Sequence, residues 1–347
     1  MRRLVAVAIL LVLGACLPVV SLAAEDASST PAAARAWPPP PAAPAVRWVR
    51  AVASPADWGV SSGFFGRIYD AIAGKEEDRF VRPTGVAERE GVLYVADPGV
   101  PALWIIDARQ NGLVKVNSAG NTPLASPVAV ALGPEGSVFV ADSVLKEVFQ
   151  FDQAGKLIAV AASAGLSRPA GLAFDEERRN LYVADSAAHQ VTIYGPGGAV
   201  VRTFGANGDR DGEFNRPTHL ALDRNGTLLV TDALNYRVQA FDRDGRFLWK
   251  IGHQGDGSGD FAAPKGVAGD SKGHVYVVDA LFDAVQVFDR QGQLLLGFGA
   301  HGQRDGEFWL PGGLFITADD EICVADSYNR RIQVFRLVPN RGQEAGK

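Results

Sequence analysis

Six times along the chain a run of apolar residues ends in an aspartate: Asp97, Asp142, Asp185, Asp232, Asp279 and Asp326, at steps of 45, 43, 47, 47 and 47. Nine residues after each stands a large apolar side chain (Ile106, Phe151, Tyr194, Phe241, Phe288 and Phe335). Fourteen to sixteen residues before each stands a proline (Pro83, Pro127, Pro169, Pro217, Pro264 and Pro311). Three residues before each proline comes a further bulky apolar group (Phe80, Leu124, Leu166, Phe214, Phe261 and Phe308). Four landmarks hold one phase through six copies, and a period in the forties built of short strands restricts the chain to a propeller or a solenoid.

The outermost strand decides between them. Five copies carry a fourth strand after the second strand pair, at 112–116, 156–160, 199–204, 246–251 and 293–298, whereas the sixth stops after Phe335 and Arg336. A strand-like stretch at 46–52, VRWVRAV, precedes the first copy. A ring that pairs its two chain ends within one blade needs this displacement, because an unpaired final edge invites association. The expected fold is all-β: a six-bladed β-propeller of four-stranded antiparallel blades over residues 46–337, closed by an N-terminal strand that completes the last blade. Turns such as those at 223–226, 242–245, 270–273 and 289–292 begin with Asp and end with Gly, the chemistry of a type I turn followed by a left-handed residue. Blades packed face to face bury both sides of their inner strands, which accounts for the unbroken apolar runs.

Residues 232–241 and 326–335 read Asp-x-x-Asn-x-Arg-[Val/Ile]-Gln-x-Phe, and residues 205–214, 252–261 and 299–308 read Gly-x-x-Gly-x-x-x-Gly-x-Phe. In these motifs the chain resembles the NHL repeat, which builds six-bladed β-propellers; the resemblance covers about residues 46–337. The first three copies depart most. Asp97 is followed by Pro-Gly-Val-Pro and Asp142 by Ser-Val-Leu-Lys, with no Asn or Arg in phase. The resemblance implies a fold rather than an activity, since one scaffold hosts many.

Before the repeats the sequence reads as an export signal at 1–24, a Pro/Ala-rich spacer at 25–45 and, between closing strand and first blade, a short helix near 64–73 stopped by Gly74. A polar tail occupies 338–347. Arg2 and Arg3 precede the apolar run Leu4 to Leu13. Leu13, Gly14, Ala15 and Cys16 resemble a bacterial lipobox with Cys16 as the lipidated residue; cleavage near Ala23 or Ala24, or retention of 4–24 as an anchor, are the alternatives. Each places the body outside the cytoplasm, on the periplasmic side of a membrane or free in the periplasm or medium. The spacer suits a tether. Net charge is −5 and the pI about 5.6, which argues against a nucleic-acid partner.

Little in the sequence points to catalysis. The six strand-end aspartates are expected to accept hydrogen bonds from their own loop amides, with Arg237 and Arg331 as loop partners. The acidic stretch 209–213 resembles a fragment of a calcium loop but lacks the later ligands. Cys323 stands where other copies carry Tyr94, Phe139, Tyr182, Leu229 and Tyr276, and reads as a buried apolar residue. Some relatives implied by the resemblance are zinc lyases with histidines converging on the channel. Here His189, His219, His253, His274 and His301 fall in different repeat phases, only His253 and His301 nearly matching and only His219 at a channel-lining position. No nucleophile elbow is present.

Binding remains. Loops entering the first strand and loops joining the second and third strands share one face of a propeller. On that face Thr84, Thr218, His219 and Lys265 are expected near the channel mouth, with Tyr236, Phe282, Trp309 and Tyr328 around it. Trp309 replaces Asn215 and Ala262 of its repeat mates, and an aromatic at such a position suits an interface anchor or packing beneath residues 60–80. The expected protein is a monomeric, non-enzymatic binding or scaffold propeller of the bacterial cell envelope, with no cofactor, metal or catalytic residue and with a protein partner. The alternative is an envelope metal-dependent lyase or lactonase-like enzyme acting near His219.

Overall fold

The computed structural model describes residues 35–39, 45–60 and 78–338. The signal and lipidation readings at 1–24, the helix near 64–73 and the tail beyond 338 lie outside them. Within them the chain forms six antiparallel blades arranged in a ring. Blade 1 comprises Gly85–Arg89, Val92–Asp97, Ala102–Asp107 and Gly112–Val116, and blade 2 Pro127–Leu132, Val138–Asp142, Glu147–Phe151 and Leu157–Ala162. Blade 3 runs Pro169–Asp175, Asn180–Asp185, Gln190–Tyr194 and Val200–Phe204; blade 4 runs Pro217–Leu222, Leu228–Asp232, Arg237–Phe241 and Phe247–Ile251. Blade 5 comprises Pro264–Gly269, Val275–Asp279, Ala284–Phe288 and Leu294–Phe298.

Blade 6 joins the chain ends. Leu314–Ile316, Glu321–Asp326 and Arg331–Leu337 are completed by Val46–Val52, which pairs antiparallel with the last strand from Val46 opposite Leu337 to Val52 opposite Ile332. Trp48 Nε1 donates to Gln333 Oε1 at 3.0 Å across this junction. The ring is therefore closed by main-chain pairing rather than by loop contacts alone.

One part of the Pro/Ala-rich stretch departs from the spacer reading. Ala36–Trp37 forms a fifth strand on the outer edge of blade 6, paired with Arg47 and Val46. The Trp37 ring lies 5.9 Å from Phe298 and 5.8 Å from Phe335. Its neighbours are Pro and Ala, which have too little apolar surface to dock; a single indole supplies it.

The core consists of apolar layers between successive blades. Tyr182, Val191, Leu228 and Phe241 fill one such layer, and Tyr276, Val285, Ile322 and Phe335 another. Each repeat's two bulky apolar landmarks meet there: Phe214 packs 5.5 Å from Phe241, and Phe261 the same distance from Phe288. A Cβ on Gly205, Gly252 or Gly299 would sit within 2.5 Å of the ring of Phe214, Phe261 or Phe308, so the first glycine of that motif is a packing requirement. Cys323 is buried in such a layer, and burial raises its thiol pKa far above the ordinary value. It is a structural apolar residue here.

Candidate functional site

The strand-end aspartates build the loop face. Each is fully buried and organises two loops, the one entering its blade and the one joining its second and third strands. Asp142 accepts from the amides of Ala125, Ser126, Val144 and Leu145; Asp185 does the same with Ser167, Arg168, Ala187 and Ala188. In blades 4 and 6 one amide donor remains, from Asn215 or Trp309, and Asn, Arg and Gln side chains supply the others. Arg237 Nε reaches Asp232 Oδ2 at 2.8 Å while its other nitrogens donate to the carbonyls of Asp209, Arg210 and Glu213. Arg331 holds Asp326 and the carbonyls of Arg304 and Glu307 in the same way. Backbone oxygens of the calcium-like stretch are thus already occupied by a guanidinium, and it serves as a clamped turn.

These loops position a polar ring at the loop-face end of the channel. Two residues after each landmark proline come Gly85, Ala129, Gly171, His219, Gly266 and Gly313. The small residues let inner strands approach: a Cβ on Gly171 would lie 2.5 Å from Thr218 O, and one on Gly313 would lie 2.2 Å from Thr84 O. His219 alone carries a large side chain in this ring, and it lines a void of about 40 Å³ with Thr84 and the aliphatic residues below. Its Nδ1 is 3.1 Å from Thr218 Oγ1. Burial, and then the nearby Lys265 charge, push its pKa down to about 3, so the ring is neutral across the physiological range. Lys265 is itself half-buried, burial lowers its pKa, and its ammonium has no hydrogen-bond partner among the described residues. Thr84 Oγ1 is turned to Val128 O at 3.0 Å. The structure therefore brings Thr218, His219 and Lys265 together, with Thr84 across the channel. Beneath them Val86, Val130, Leu172, Leu220, Val267 and Leu314, one from each inner strand, form an aliphatic ring.

The aromatic candidates separate into two groups. Trp309 and Tyr328 are 38% and 50% exposed, and their rings lie 5.7 Å apart. Tyr236 and Phe282 are half-buried, and Tyr236 packs against the layer between blades 4 and 5. The reason is the loop conformation. Two residues after the aspartate the loop points outward, at Val144, Leu234, Leu281 and Tyr328, all 48–64% exposed. Four residues after it the backbone is left-handed in five blades, φ +61, +54, +53, +50 and +56 at Lys146, His189, Tyr236, Asp283 and Arg330, and the chain turns back. Of this outward set only Tyr328 is among the sequence candidates; the signal for Val144, Leu234 and Leu281 is the alignment of the six loops on their aspartates.

The five histidines go to separate places. His253 Nε2 pairs with Asp260 at 2.7 Å, His274 Nδ1 with Asp270 at 2.7 Å and His301 Nδ1 with Asp283 at 2.7 Å, while His189 Nδ1 accepts from the Arg216 amide. The near register of His253 and His301 does not bring them to a common site. Among the described residues no group of three or more His, Cys, Asp and Glu is placed to hold a metal ion.

Fold and repeat chemistry together define a six-bladed β-propeller. Residues 224–280 match the family described as a 6-bladed beta-propeller, and residues 166–194 and 308–335 match the NHL repeat. The chain is an NHL-repeat six-bladed propeller. It is 24% identical to the NHL repeat-containing protein 2 of Bos taurus over 43% of this chain and 28% of that protein, so it spans little more than a quarter of that relative's length. Among solved structures it is similar to a virginiamycin B lyase from Staphylococcus aureus (12% identity, 74% of this chain and 96% of that one, TM-score 0.56). It is also similar to an auxiliary nutrient binding protein from Bacteroides thetaiotaomicron (13%, 74% and 69%, TM-score 0.59) and to a chain of a nidogen–laminin complex (19%, 71% and 86%, TM-score 0.53). A lyase, a nutrient binder and a protein assembly share this fold. The likeness shows the fold and leaves the role to be argued from the site.

Proposed function

We propose that this protein is a non-enzymatic binding module of the bacterial cell envelope that engages a protein partner through its loop face. The observation that carries the reading is the outward apolar set on that face: Val144, Leu234, Leu281 and Tyr328 from four blades, joined by Trp309. An aromatic pair beside exposed leucines suits an interface anchor with a surrounding contact zone. The export-like N-terminus and its lipobox-like Cys16 support an envelope location. No helix among the described residues is long and apolar enough to cross a membrane.

A photo-crosslinking residue placed at Leu281 or Tyr328 in cells is expected to trap one common partner. The same residue at Leu248 or Leu295, exposed on the outer strands, is expected to trap none. Trapping from the outer strands alone, or an unchanged partner when the double variant Leu281→Asp, Trp309→Asp is tested from Tyr328, would remove the loop face from consideration. Intact mass of the mature protein tests the tether: an acylated Cys16 is expected, and an unmodified chain beginning near Glu25 would make the module soluble.

A second reading, an envelope lyase or lactonase acting at the channel, is favoured by one observation. His219 Nε2 and the Lys265 ammonium both lack protein partners among the described residues. Stoichiometric zinc or calcium in the purified protein, lost on His219→Ala, would favour it over the binding module.

A further inference from the structure

The opposite end of the channel is a separate feature. Below the aliphatic ring the channel opens, on the face of the turns joining first and second strands, into a cavity of about 780 Å³. That volume falls in the usual range for sites that enclose a small organic ligand, roughly 300–1,000 Å³. Its wall follows the repeat. Three residues after each landmark proline stands the aliphatic ring already described; five residues after it stand Glu88, Leu132, Phe174, Leu222, Gly269 and Ile316. Of the twelve wall positions in these two rings, eleven are apolar or glycine and one is charged.

That one is Glu88. Its carboxylate accepts the Gly91 amide at 2.6 Å through Oε1, and it has no ion pair among the described residues. The Arg50 charge reaches Glu88 without forming an ion pair, and the basic groups nearby make their direct contacts elsewhere. Arg89 pairs with Glu176 at 2.7 Å and donates to Gly133 O at 2.8 Å; Arg336 pairs with Glu321; the Arg50 guanidinium stacks on Trp58 at 4.0 Å. At the rim Asp319 is exposed and likewise has no hydrogen bond or ion pair among the described residues. Including these, five carboxylates and two guanidiniums line the cavity. A carboxylate held in an apolar wall without an ion pair is destabilising unless a cation meets it.

We propose that this cavity is a binding site for an organic cation with an apolar body. Glu88 pairs with the ammonium or guanidinium group, and the two aliphatic rings take the body. The site is separate from the loop face, and its test does not depend on that surface.

Hexylammonium and its neutral counterpart hexanol are the probes, titrated into the full chain and followed by the Leu, Ile and Val methyl resonances. Hexylammonium is expected to shift Leu172, Leu222 and Ile316 methyls and to bind about tenfold or more tightly than hexanol, the usual advantage of a charge-assisted contact. In Glu88→Gln the preference is expected to vanish while hexanol binding persists. Ile316→Trp, which fills the cavity from a half-buried position, is expected to abolish binding of both. Equal affinities in the native protein, a preference that survives Glu88→Gln, or shifts confined to residues outside the cavity would overturn the proposal. So would undiminished hexylammonium binding in Ile316→Trp, which also serves as the test if Glu88→Gln does not fold.

Discussion

Arg237 and Lys250 each form a close ion pair, yet the cost of losing them differs several-fold. Arg237 is buried and divides its donors between Asp232 and three loop carbonyls, whereas Lys250 meets Asp211 in solvent at 2.6 Å. Arg237→Met leaves a buried carboxylate short of donors and is expected to cost about 3–5 kcal/mol in urea denaturation. Lys250→Ala is expected to cost about 1 kcal/mol or less, and equal losses would refute the clamp. His219 offers a direct test of the channel environment. Its folded pKa lies far below the ordinary 6.5, so its nitrogen shifts are expected to remain those of a neutral ring at about pH 5. An imidazolium spectrum there would show the channel to be wet. Glu88 runs the other way: burial, with Glu321 adding, raises its pKa above the ordinary 4.5. Its stabilising protonated form is complete below the unfolded value and is lost as the pH rises through the folded one. Glu88→Gln is therefore expected to raise Tm at neutral pH, with the gain shrinking to nothing below the ordinary carboxylate range.

Elements differ in how far the sequence announces them. The closing strand is legible because five copies have a fourth strand and the sixth lacks one, so 46–52 has one vacancy to fill. Ala36–Trp37 is not legible: two residues carry no period, and only the pocket between Phe298 and Phe335 makes the indole structural. The polar ring follows from the proline landmarks, because position along an inner strand fixes which side chains meet the channel. Tyr236 could not be separated from Tyr328 without the left-handed turn that folds the first back. Glu88 stands out only once six inner strands are laid in register. Trp37→Ala is expected to cost about 2 kcal/mol, less than a fully buried aromatic would, and to leave the ring closed. Deletion through Val52 removes an entire edge. That variant is expected to elute as oligomers in size-exclusion chromatography, and a peptide spanning 45–53 added in trans is expected to restore the monomer. A monomeric, stable deletion variant would mean that five complete blades suffice.

At the scale of the whole molecule the channel divides the protein into two chemically distinct ends. One carries neutral His219, Lys265 and an exposed apolar set; the other is an aliphatic vestibule with an acidic mouth. Six nearly equivalent blades give such a molecule no intrinsic polarity of function, so individuality arises where a copy breaks the repeat: His219 in a ring of glycine and alanine, Glu88 in a wall of apolar residues and glycine, Tyr328 and Trp309 on the loops. Variants at one end are expected to leave binding at the other unchanged, and methyl spectra of Glu88→Gln should differ from the native protein only near the vestibule. The joint in blade 6 has a consequence in time. The ribosome makes Val46–Val52 before any blade exists and its partner Arg331–Leu337 after every other one. Blades 1–5 have all their strands by Phe298, but the first-made strand waits unpaired through the synthesis of nearly the whole domain. Until the last residues emerge, this nascent chain carries an open edge that a chaperone must shield or a neighbouring chain will find.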